Sequence, residues 1–112
     1  MPTWQEKYQK EIDRANDVRA KDNEGQARVC ARRAAGVVLR EYFARRDIAT
    51  PSPSAYDLLK ILLEMDDLPA DVRQSAEYLT LRVDGDFKLP DGVDLIKEAQ
   101  RLCEQLLPDA LS

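Results

Sequence analysis

An all-α fold, an up-and-down bundle of four to five helices, is what three features of the sequence predict. Five stretches of the 112-residue chain repeat their apolar residues at a helical period, and none alternates as a half-buried strand would. Capping residues of the Ser, Thr, Asn and Asp type stand before the stretches. Prolines and Asp/Asn-rich breaks divide them by short connections, which favour antiparallel neighbours. The length is that of one domain, spanning residues 1–112.

The first helix is expected from about Trp4 to Lys21. Thr3 and Glu6 form a capping box, and Trp4, Tyr8, Ile12, Ala15 and Val18 make one stripe. After the polar break Lys21-Asp22-Asn23, Asn23 with Gln26 opens a second helix running to about Arg46. Ala27, Cys30, Ala31, Ala34, Val37, Val38 and Tyr42 fall on one broad face of it, while Leu39 and Phe43 fall off that face. A helix apolar on more than one side is the central member of a bundle. Its alanines and Gly36 permit close approach of neighbours.

Thr50-Pro51-Ser52-Pro53 cannot propagate a helix, so a loop is expected there. Ser52 or Ser54 then caps a third helix through about Met65, with Leu58, Leu59, Leu62 and Leu63 inward. Pro69 suits the first turn of a fourth helix, which packs through Val72, Ala76, Leu79 and Val83. A turn at 84–90 follows. Asp91 with Asp94 starts a fifth helix, whose Val93, Ile96, Ala99, Leu102, Cys103 and Leu106 face inward until Pro108.

Composition narrows the function. The chain has no histidine, which removes the commonest general base and metal ligand together with every Ser/Cys–His arrangement. Its longest apolar run, Ala34 to Leu39, falls far short of the roughly 20 residues of a membrane span. The first residues lack a basic and an apolar region, so no secretory signal is read, and a cytoplasmic location is expected. Net charge is −4. Residues 1–46 carry 11 basic and 7 acidic groups, whereas residues 47–112 carry 6 and 14. The two halves therefore either neutralise each other or present opposite faces.

Six arginines, Arg28, Arg32, Arg33, Arg40, Arg45 and Arg46, stand on the second helix with Glu41 the only acid among them. Arg28 and Arg32 are one turn apart, and Arg33 and Arg40 share a second side. Such a group can hold phosphates, or it can pair with the acids of helices three to five. Asp84 and Asp86 flank Gly85, but Lys88, Leu89 and Leu95 stand where a calcium loop needs oxygen, glycine and glutamate. No metal and no cofactor is expected. Cys30 and Cys103 are read as buried thiols, and Trp4, Tyr8, Tyr42, Tyr56 and Tyr78 as core or rim residues. No nucleophile, base and orienter share a spacing, so no catalytic residue is assigned.

From Ala27 onward the order of features resembles the HEPN superfamily of small prokaryotic helical bundles. The carrying residues are the alanine-rich stretch Ala27 to Phe43, the segment Ser54-Ala55-Tyr56-Asp57-Leu58-Leu59, the stretch Ala76 to Phe87 and the closing Asp94-Leu95-Ile96-Lys97-Glu98-Ala99. The resemblance implies a four- or five-helix bundle, commonly a homodimer, linked to a nucleotidyltransferase partner or to nucleotide and RNA chemistry. Active members use an Arg-x4–6-His motif. Arg82 matches its arginine by position, whereas Phe87, Lys88 or Leu89 stands where the histidine would be. The expectation is thus a non-catalytic module acting in protein–protein interaction. The alternative is nucleotide or RNA-phosphate binding through Arg28, Arg32, Arg40 and Arg82.

Overall fold

A computed structural model describes residues 3–50, 54–81 and 92–108. Its elements are five α-helices: α1 (Trp4–Ala20), α2 (Glu24–Arg45), α3 (Ala55–Leu63), α4 (Ala70–Thr80) and α5 (Leu95–Leu106). Each helix packs on the next, and α5 returns to pack on α2 and touch α1, which closes the bundle. Since α1 and α2 are joined by three residues and pack along their length, they run antiparallel. Among the described residues no helix is long and apolar enough to cross a membrane.

The starts of α1, α2 and α3 follow the expected caps, whereas α5 starts at Leu95, with Asp94 as its cap in place of Asp91. Thr3, Asn23 and Ser54 accept hydrogen bonds from the amides of Glu6, Gln26 and Asp57, and Asp94 accepts from those of Ile96 and Lys97. Pro69 occupies the cap position of α4 rather than its first turn. The ends of α1 and α2 share a device that the polar breaks only hinted at. Asn23 donates to the carbonyl of Val18 and Ile48 to that of Phe43, while Asp22 and Asp47 take left-handed φ of 62° and 56°. These are two Schellman closures, built on aspartate where glycine is usual.

α2 is the hub. Ala27, Cys30, Ala31, Ala34, Ala35, Val38, Leu39, Tyr42 and Phe43 are all buried, so Leu39 and Phe43 find a neighbour although they lie off the main stripe. Val37, expected on the main face, is half-buried. Gly36 is where α3 crosses: a Cβ built there would stand 2.9 Å from Ala55 Cβ and 3.2 Å from its Cα. Leu58, Leu59 and Leu62 of α3 fill the core with Leu79, Leu95 and Leu102, each worth about 1.5–3 kcal/mol of burial.

Two helix ends also differ from expectation. α4 stops at Thr80, with Leu81 already extended, and the expected core position Val83 lies outside the described residues. In α5 the inward register carries Leu107, which is buried, whereas Leu106 is half-buried. Asp91, Ser52 and the turn 84–90 lie outside the described residues.

Candidate functional site

The arginines of α2 do not form one cluster. Arg32 Nε donates to the carbonyl of Leu79 at 2.8 Å and Nη2 donates to that of Leu81. The guanidinium therefore closes the C-terminal end of α4, where carbonyls lose their helical donors. Arg73 does the same for α3, donating to the carbonyls of Leu63 at 3.0 Å and Met65 at 2.7 Å. Arg45 pairs with Glu41 at 2.9 Å, and Arg46 stacks over Tyr42 at 4.5 Å. Arg28 is half-buried, with its Nε buried and without a hydrogen-bond partner. Arg40 lies about 12 Å along the helix axis from Arg32, at 1.5 Å per residue, and a fifth of a turn or more around it. Arg82 lies outside the described residues.

Pairing with acids of the later helices was the other expectation for these arginines. Among the described residues, Arg32 contacts backbone carbonyls, Arg45 an acid of its own helix and Arg46 a ring. The residue count weighs charges, but it does not register the orphan carbonyls at helix ends.

Between α1, α2 and the start of α3 runs a groove made of two adjoining cavities. The inner one, about 340 Å³, is lined by Glu11, Arg33, Gly36, Val37, Arg40, Ser54 and Ala55. The outer one, about 200 Å³, adds Trp4, Lys7 and Glu41 and shares Val37 and Arg40. Val29, Arg33, Val37 and Arg40 make the outward stripe of α2, and Val29 is the large apolar side chain left exposed among the described residues. Glu11 presents a buried carboxylate oxygen without a hydrogen-bond partner on the groove's wall. An unpaired buried acceptor of this kind costs about 1–3 kcal/mol until a donor arrives.

A second polar concavity, about 280 Å³, lies between α4 and α5 and is lined by Asp71, Gln74, Ser75, Glu98, Arg101 and Gln105. Ser75 Oγ donates to Glu98 Oε1 at 2.8 Å, and Arg101 Nη1 donates to Glu98 Oε2 at 2.9 Å. Ser75 and Glu98 are 3% and 5% exposed, the two buried polar residues of the core among the described residues. Neither was singled out from the sequence. The available signal was positional, since Ser75 sits between the core residues Val72, Ala76 and Leu79.

The two thiols are free and buried, as expected. Burial pushes the Cys103 thiol up to about 11, against the opposing effect of its contact with Tyr8. Tyr8 and Tyr42 are core residues, while Trp4, Tyr56 and Tyr78 are half-buried. Compared with known proteins, the chain matches no family model, no curated protein and no solved structure.

Proposed function

We propose that the chain is a cytoplasmic, non-catalytic binding module that pairs with a second copy of itself through the outward stripe of α2. The observation that carries the reading is the outward stripe of Val29, Arg33 and Arg40, all exposed, with half-buried Val37 between them, on the helix that otherwise builds the core. Charge supplies the occupant. Glu64, Asp66, Asp67 and Glu77 are exposed on the acidic second half, so the basic stripe of one copy faces the acidic side of the other. In a two-fold pair this contact is made twice. A homodimer is what the resemblance to HEPN bundles implies as well, and a nucleotidyltransferase is the other occupant it suggests.

Size-exclusion chromatography with light scattering tests the proposal. The protein should elute as a dimer, and Val29→Glu/Arg33→Glu should elute as a folded monomer. A dimer unaffected by that double substitution overturns the stripe as the interface. A monomer in both overturns pairing between copies and leaves the nucleotidyltransferase as occupant.

One observation favours a second reading, phosphate binding. Arg33 and Arg40 share the inner cavity with the N-terminus of α3, whose amides carry partial positive charge. Here the phosphate ligands would be Arg33 and Arg40, and not Arg32, whose donors already hold α4. Affinity for a short RNA should then fall steeply with salt and weaken in Arg33→Ala. Affinity that ignores both would exclude it.

A further inference from the structure

Two features of opposite charge sit at the two ends of α3. At its start lies the groove, where Lys7, Arg33 and Arg40 stand against Glu11, because Glu41 is neutralised by Arg45 at 2.9 Å. Three cations against one acid leave the groove with two net positive charges. At the end of α3 lies the connection Glu64-Met65-Asp66-Asp67-Leu68, whose three acids are all exposed. The cation beside it is Arg73, which donates to the carbonyls of Leu63 at 3.0 Å and Met65 at 2.7 Å. Three acids against one cation leave two net negative charges. The same two hydrogen bonds hold the connection in one shape, so little freedom is lost when it docks. Met65 and Leu68 are half-buried, which leaves apolar surface among the acids. The groove has the matching apolar walls in Trp4 and Val37, also half-buried.

The connection cannot reach the groove of its own chain, since the nine residues of α3 put about 14 Å between them. We infer that residues 64–68 of a second copy fill the groove, with Met65 against Trp4 and Val37 and with the acids facing Lys7, Arg33 and Arg40. The inference rests on the self-pairing proposed above and names the segment that enters the stripe. A two-fold axis across the middle of α3 sets the two α3 helices antiparallel, so both grooves are filled at once. Charge complementarity selects this register, and a contact of the Met65 sulfur with the indole adds to it.

Charge exchange followed by sedimentation at tens of micromolar tests the inference. Lys7→Glu/Arg33→Glu makes the groove acidic, and Asp66→Lys/Asp67→Lys makes the connection basic. All four positions are exposed, so melting temperatures should stay within about 4 °C of the unmodified protein. Each variant alone should be a monomer, because like charges then meet at both contacts. An equimolar mixture should regain the dimer mass, because both contacts become attractive. A dimer that Asp66→Lys/Asp67→Lys leaves intact overturns the connection as occupant while leaving the pairing of copies standing. Two monomeric variants that do not recover on mixing overturn it as well. A monomeric unmodified protein overturns the pairing and the inference together. Trp4, the one tryptophan, reads the seat of Met65. Its emission should move to shorter wavelength as the concentration rises through the dimer transition, and an unchanged emission overturns that seat.

Discussion

Arg19 Nη1 lies 2.9 Å from Asp94 Oδ2, and so ties the last turn of α1 to the cap of α5 across 75 residues of chain. The same guanidinium grips Glu24 in the first turn of α2, at 2.7 Å from Nη2 and 3.0 Å from Nε. Three helix ends meet here, each with the charge its dipole favours: a cation at a C-terminus and anions at two N-termini. Asp94→Ala removes a cap and one arm of this junction, so it should destabilise the protein by about 1–2 kcal/mol. That corresponds to a fall of about 4–16 °C in melting temperature. Glu24→Ala, at a more exposed arm, should cost less. An equal effect of both would contradict the junction's geometry.

Acid should dissolve the same junction. Burial by itself would raise the Asp94 carboxyl, but Arg19 and the amides of Ile96 and Lys97 outweigh it and hold the group below its ordinary value. A depressed folded value means that the stabilisation is complete above about pH 4 and is lost as pH falls through the folded value. Denaturation of Asp94→Asn against pH should show a shallower acid limb than that of the unsubstituted protein. Parallel limbs would refute the assignment.

The alkaline side has its own marker. With the Cys103 thiol raised by burial to about 11 from 9.0, the stabilisation is complete below pH 9 and is lost as pH rises toward 11. Burial likewise raises the Tyr8 hydroxyl, which adds to the same limb. Cys103→Ala should flatten the decline above pH 9. In the native protein neither cysteine should react with a thiol reagent at pH 8, and both should react in denaturant.

Gly36→Ala separates packing from propensity. Alanine is the better helix former by about 1 kcal/mol. Yet its Cβ would press on Ala55 Cβ and Cα, which are fixed to the backbone of α3 and cannot swing aside. Net destabilisation of about 1–3 kcal/mol is expected from such overpacking, read by chemical denaturation. A gain in stability would mean that α3 yields freely. Asp22→Gly has the opposite sign: relief of a left-handed φ of 62° should add about 0.5–1 kcal/mol.

Much of this fold was legible because helix caps and apolar periods are local. Thr3, Asn23 and Ser54 each announce a helix within four residues of sequence, and Gly36 announced a close approach; Asp94 announced the fifth helix but stands as its cap, where Asp91 was expected. What stayed hidden was set by partners distant in the chain. Arg32 reads as a phosphate ligand until Leu79 and Leu81 are placed beside it, and Arg73, to which the sequence assigns no role, is seen to close α3 only once that helix ends against it. Arg32→Ala should therefore unfasten α4, raising amide exchange near its C-terminus. The groove was half visible: Arg33 and Arg40 share a side by spacing, but Glu11 and Ser54 reach them only through the packing of α1 and α3. Ser75 and Glu98 lie 23 residues apart on different helices, so no single helical wheel could join them.

Sedimentation equilibrium of the unmodified protein tests the pairing of two copies most directly. At tens of micromolar and about 50 mM salt, where the screening length exceeds 10 Å, the mass should be that of a dimer. It should move toward the monomer as salt approaches about 0.5 M. A monomer at both salt concentrations would contradict the account.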